Sequence, residues 1–152
     1  MKKLFIPFLT LFLLISTTLP VQANVLNQQI EYYDDGSYII TVIEDVPSDI
    51  TLLSTTVTKS KTSTYHSSTG EALWSITVTG TFTYGNGTSK CTSSSINTKI
   101  YNSNWSIGNK SSSANGNKAS ATATAIQYLK GHEVQRITKT VTLTCSSTGK
   151  FS

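Results

Sequence analysis

Trp74-Ser75-Ile76-Thr77-Val78-Thr79-Gly80-Thr81-Phe82-Thr83-Tyr84 is the stretch that decides the fold class. Its even positions carry Trp74, Ile76, Val78, Gly80, Phe82 and Tyr84, and its odd positions carry only Ser75, Thr77, Thr79, Thr81 and Thr83. Successive side chains of a strand point to opposite faces. This period of two therefore sets an apolar row against a core and a hydroxyl row toward water. Threonine suits the wet face because its β-branch fits a pleated surface.

The same device recurs downstream. Ile137, Val141, Leu143 and Cys145 share one face, with Lys139 as the exception, and Thr138, Thr140, Thr142 and Thr144 share the other. Ala119, Ala121, Ala123 and Ala125 alternate with Ser120, Thr122 and Thr124, a small-residue face suited to close packing. Weaker strands are expected at 29–33, 37–44, 55–65 and 96–101, with a short one at 105–110. Turn residues separate them at Asp34-Asp35-Gly36, Ser67 to Gly70, Gly85-Asn86-Gly87, Asn115-Gly116-Asn117 and Lys130-Gly131. A plain two-residue turn at Lys130-Gly131 would set Ala123 opposite Thr138 and mix the faces. The pattern therefore predicts an odd loop or a bulge there, restoring alanine beside Ile137 and Val141. Beyond the first 23 residues no apolar period of 3.6 is sustained. The fold class expected is all-β, an antiparallel β-sandwich in preference to a small barrel.

Cys91 and Cys145 are the only cysteines, and one disulfide between them is expected. With Trp105 between them they suggest an immunoglobulin-like topology, in which a tryptophan packs on an inter-sheet bridge. Against it, Leu143 stands where that fold places its corner tyrosine, and only seven residues follow Cys145. The immunoglobulin-like topology is therefore an alternative and not the reading adopted.

The start of the chain sets the compartment. Lys2 and Lys3 precede an apolar run from Leu4 to Ile15, then Pro20 and the small-residue pattern Val21-Gln22-Ala23. This is the layout of a secretory signal peptide over 1–23, cleaved after Ala23. The apolar run is shorter than the ~20 residues of a membrane span, and no second run follows, so no transmembrane segment is expected in the mature chain. The expected location is secreted and extracellular, with at most loose attachment to the envelope. No cysteine sits at the cleavage site to be acylated, and Ser146 to Ser152 is polar. The glycosylation patterns at Asn86, Asn104 and Asn109 are expected to stay unmodified in a bacterial protein.

The whole chain carries 12 basic and 8 acidic residues. Without Lys2 and Lys3 the balance is 10 to 8, with a single arginine, too weak and scattered for nucleic acid. The charge is nonetheless segregated. Residues 24–49 hold six acids and no base, and residues 50–152 hold ten bases against Glu71 and Glu133. The acidic segment, with its apolar strand Tyr38 to Ile43, is expected to form one domain with 50–152 as an integral hairpin, the boundary falling near 46–54. It would then mask a basic face such as Lys59, Lys61 or Lys139.

No catalytic, cofactor or metal set emerges. Asp34-Asp35-Gly36 lacks the spacing of a calcium loop. His66 and His132 lie near turns with no nucleophile and third group beside them in the pattern, and two cysteines with two histidines make no zinc spacing. Tyr101, Trp105 and Tyr128 fall at strand ends or off the apolar register, and are the candidate ligand contacts.

The run from Trp74 to Tyr84, then Cys91, Asn104-Trp105, Gly116-Asn117-Lys118-Ala119 and Val141-Thr142-Leu143-Thr144-Cys145, resembles a set of small secreted β-rich proteins of Gram-positive bacteria. The resemblance covers roughly residues 55–152 and implies an exported β-module with no assigned activity. The function expected is a non-enzymatic module, without cofactors, that binds a partner protein or a cell-envelope polymer. A β-pore-forming or membrane-active protein and a secreted hydrolase are the alternatives.

Overall fold

The computed structural model describes residues 25–45 and 56–152. The expected signal peptide and the 46–54 boundary lie outside the described residues. Eight strands follow in order: β1 (Val25–Tyr32), β2 (Tyr38–Asp45), β3 (Thr56–His66), β4 (Ala72–Gly85), β5 (Thr88–Ile100), β6 (Trp105–Asn115), β7 (Lys118–Leu129) and β8 (His132–Thr144). They form two antiparallel sheets, β1-β2-β3-β4-β5 and β6-β7-β8, with every neighbour in space a neighbour in sequence. An immunoglobulin topology would need Greek-key crossovers, so this meander corrects that alternative. The acidic hairpin β1-β2 belongs to the larger sheet, β2 pairing with β3 from Tyr38↔His66 to Asp45↔Lys59.

One core is shared by both sheets. From β4 come Trp74, Ile76, Val78 and Phe82, all fully buried, as the alternation predicts. Burying each such side chain stabilises the fold by about 1.5–3 kcal/mol. From β7 come Ala119, Ala121, Ala123 and Ala125, equally buried. Small residues opposite large ones let the layers approach. Gly80 shows how closely: a Cβ there would sit 2.6 Å from Phe82 Cε2 and 2.7 Å from Ala119 Cβ. One end of the core is aromatic, with Tyr65 stacked on Trp74 at 5.5 Å and Trp105 edge-on to Tyr65 at 5.6 Å. At the other end Phe82 meets Phe151 at 5.3 Å.

Turn chemistry sets the registers. Three reversals share one device: the β1–β2 turn, the β3–β4 turn and a C-terminal one each close on a glycine at positive φ, namely Gly36, Gly70 and Gly149. Their hydrogen bonds are equivalent, for example Gly70 N–H to Ser67 O and Gly149 N–H to Ser146 O, both 3.0 Å. The last two are even the same four residues, Ser-Ser-Thr-Gly at 67–70 and 146–149. At the β7–β8 turn Lys130 and Gly131 both take positive φ, the tight two-residue form. The register then shifts between Gln127 and Tyr128, so Ala125 faces Ile137 and Ala121 faces Val141. That is the bulge the face pattern requires.

Outward-facing hydroxyls pair across strands as ladders. On β3–β4 these are Thr58–Thr81, Ser60–Thr79 and Thr62–Thr77, at 3.1, 2.7 and 2.9 Å. On β7–β8 they are Ser120–Thr142, Thr122–Thr140 and Thr124–Thr138, at 3.0, 2.8 and 2.9 Å. The hydroxyls of the threonine face are thus partnered by protein.

The expected disulfide is corrected: Cys91 and Cys145 are both buried and not bonded to each other. Their strands flank the β6–β7 turn, Cys91 N–H donating to Gly116 O and Cys145 N–H to Asn117 O, at 2.7 and 3.0 Å. Each thiol turns to a carbonyl of its own neighbourhood instead, Cys91 Sγ to Ser93 O at 3.1 Å and Cys145 Sγ to Ser146 O at 3.4 Å. Burial pushes both thiols above their ordinary pKa.

Candidate functional site

The sheets are unequal, and a concavity lies at the mismatch. β3 and β4 lie over β8, but no Cα of β1 or β2 comes within 8 Å of the three-stranded sheet. The β1–β2 hairpin therefore overhangs the free edge of β8. Beneath it runs a groove with one compartment of about 480 Å³ and a second of about 240 Å³. Both are lined by Gln29, Thr41, Lys61 and Thr142, so they are continuous.

Strand alternation places Gln29, Thr41, Lys61, Ser63 and Lys139 in this groove, and Thr140 and Thr142 border it from the edge of β8. Thr41 and Ser63 are opposite each other on the inner face, their hydroxyls 2.7 Å apart. Lys61 stands opposite Ile43 on one side and Val78 on the other, in the row that buries Tyr65. It is half-buried and makes no ion pair among the described residues, and desolvation pulls its pKa below the usual lysine value. Lys139 occupies an inward position of β8 between Ile137 and Val141, and spans the groove to Glu31 Oε2 at 2.6 Å. Lys59, two residues from Lys61 on the same row, sits 5.8 Å from the Phe151 ring centroid, and desolvation lowers its pKa also. The result is a polar cleft that holds the half-buried Lys61 and is crossed by the Lys139–Glu31 ion pair.

The candidate aromatics do not converge here. Trp105, a candidate ligand contact, is a core residue, 4 % exposed and packed on Tyr65 and Trp74. Its remaining edge lines a separate hollow of about 170 Å³ at the aromatic end, with Asp35, Ser37, Gln127 and Gln135. Tyr101 is exposed beside Lys99, whose Nζ lies 4.7 Å from its ring centroid. Tyr128 is exposed on β7 opposite Glu133. Trp105, being buried, adds no exposed ring to the other two. His66 stacks on Tyr38 at 4.9 Å, its Nδ1 3.1 Å from Gly70 O. Among the described residues no three His, Cys, Asp or Glu side chains gather in a metal-binding group, and no helix is long and apolar enough to cross a membrane.

Pattern reasoning missed Gln29, Thr41 and Thr142 as groove residues. The signal for the groove lay in Lys59, Lys61 and Lys139, each a lysine in an inward register. An inward charge marks a place where the opposing layer stops. No protein family, curated protein or solved structure matches the chain.

Proposed function

We propose that the chain is an exported, non-enzymatic β-sandwich module that holds an anionic partner or surface polymer in the groove between β1–β3 and β8. The observation that carries this reading is Lys61. A cation half-buried among Ile43, Val78 and Thr41 is held at an electrostatic cost, and an incoming anion offsets that cost. Lys139 adds a second charge, which Glu31 partly neutralises until a ligand competes for it. The hydroxyls and amide around them supply neutral hydrogen-bonding groups for a polar ligand. Export is supported by the three-part leader and by the resemblance to secreted proteins of Gram-positive bacteria.

The test is equilibrium binding of the mature chain to labelled poly-L-glutamate and poly(glycerol phosphate), with neutral dextran as reference. At least one anion should bind, weaken as salt rises, and lose about tenfold in affinity in Lys61→Gln, the effect of one charge-assisted contact. Binding that is indifferent to Lys61, or no anion binding, overturns the proposal.

A further inference from the structure

We infer that the free edge of β8 receives an extended acidic polypeptide segment as an added strand, which makes the groove's ligand a peptide. The inference rests on the groove being the binding site, as proposed above.

The backbone argument comes first. Thr144 N–H donates to Ser152 O at 2.9 Å, and Ser152 N–H donates back to Thr144 O at 3.1 Å. This reciprocal pair shows which way Thr144 turns its peptide groups: away from β7, toward the open edge. In an antiparallel strand alternate residues turn theirs the same way. The register of β8 runs without interruption from Gln135 to Thr144. Thr142, Thr140 and Thr138 therefore also present N–H and C=O at that edge, and among the described residues β7 is the only strand paired with β8. The C-terminal residues, with the bridge Cys145↔Phe151, already pair with one end of the edge. Among the described residues no strand pairs with the stretch that borders the groove.

Room and geometry select the occupant. Strands in a sheet lie about 4.8 Å apart and packed sheets about 10 Å apart. A strand added to β8 would enter the space beneath the β1–β2 overhang and complete the missing layer. Five residues opposite Thr138 to Thr142 would span about 17 Å. A second copy of β8 does not fit, because its own five-stranded sheet would have to occupy the space that β1 and β2 fill. A single extended segment brings no second layer.

Side chains then set its chemistry. Residues opposite Lys139 and Val141 would point inward, toward Lys61, Thr41 and Gln29, and there a carboxylate is favoured. Residues opposite Thr138, Thr140 and Thr142 would point outward beside the hydroxyl ladder, and there small polar residues suffice. An inward lysine on an edge strand discourages apolar strands from pairing. Lys139 accordingly selects for an acid, which competes with Glu31 for it.

The experiment uses the mature chain and an acetylated, amidated heptapeptide alternating threonine and glutamate, beginning and ending on threonine. Two isomers of identical charge carry backbone N-methyl groups, one on the threonines and one on the glutamates. Threonine N–H groups would face β8, and glutamate N–H groups would face away. The parent and the glutamate-methylated isomer should bind. The threonine-methylated isomer should bind about tenfold or more weakly, for the loss of two or three hydrogen bonds. Lys61→Gln should weaken the parent peptide similarly. So should Thr140→Pro, which removes a donor at the free edge and leaves the β7 pairing; near-ultraviolet signals of Trp74 and Trp105 report whether it folds. The isomer pair decides the question even if it does not. If both isomers and poly(glycerol phosphate) bind alike and through Lys61, the groove is an anion site and strand addition is overturned. If nothing binds through Lys61, both proposals fall.

Discussion

The five-stranded sheet brings Trp74, Ile76, Val78 and Phe82 to the interface, whereas the three-stranded sheet answers with four alanines of β7 and with Val141 and Leu143 of β8. Bulk comes from one layer and close approach from the other. The same inequality holds in width, five strands against three, and no Cα of β1 or β2 comes within 8 Å of the smaller sheet. In β4 from Trp74 to Phe82 and in β7 from Ala119 to Ala125, inward positions are apolar or small and alternation is strict. Along the groove the inward rows carry Thr41, Lys61 and Lys139 instead, and a cleft opens. A sheet thus records in its inward residues where its partner ends.

Removing bulk from the large sheet should have the greatest effect. Trp74→Ala leaves a cavity in a site with no exposure and should lower unfolding stability by about 3–5 kcal/mol, read from urea denaturation. Adding bulk to the small sheet should be less severe. Ala121→Leu and Gly80→Ala each force atoms into occupied space, Gly80→Ala against Phe82 and Ala119, and each should lose about 1–3 kcal/mol. If Ala121→Leu were neutral, the alanine face would not be setting the sheet separation.

The thiols sharpen the comparison at the seam between the sheets. Burial holds Cys91 and Cys145 neutral, so the folded values lie above the ordinary 9.0. The stability linked to them is present below pH 9 and declines above it, as the unfolded chain ionises first. Stability measured across that range should fall in the native protein and fall less in a double Cys→Ala variant. Two thiols per chain should react with an alkylating reagent after unfolding, and slowly before it.

The hydroxyl ladders predict the smallest effect. Thr62→Val strips Thr77 of its partner and should lose about 0.5–1.5 kcal/mol, whereas Thr62→Val with Thr77→Val should recover much of that loss. Double-mutant cycles on thermal unfolding check it.

Alternation made β4, β7 and β8 legible, because each has one face mainly apolar or small, with Lys139 the exception on β8. It failed where both faces are polar. β5 begins at Thr88 and not at 96, since Thr88 to Ser95 carries only Cys91 as an apolar mark, and β6 runs to Asn115 and not 110 for the same reason. The C-terminal reversal went unread although Ser146-Ser147-Thr148-Gly149 repeats the four residues of the β3–β4 turn. Trp105 follows directly on the crossing between sheets at 101–104, where no preceding alternation fixes a face. The groove itself depends on how many strands each sheet holds, a property no local pattern contains. Only the inward lysines pointed to it.

Lys61 offers the most direct test of that account. Its side-chain amine can be followed by NMR across a pH titration, with Lys61→Arg spectra assigning the signal. In the free protein it should titrate below 10.5, the ordinary lysine value, because burial disfavours the charge. Saturation with the threonine–glutamate heptapeptide should raise it, since a bound carboxylate favours the charged form, and binding should weaken as pH climbs past the free-protein value. A Lys61 that titrates at the ordinary value and does not respond to the peptide would contradict the groove as a binding site.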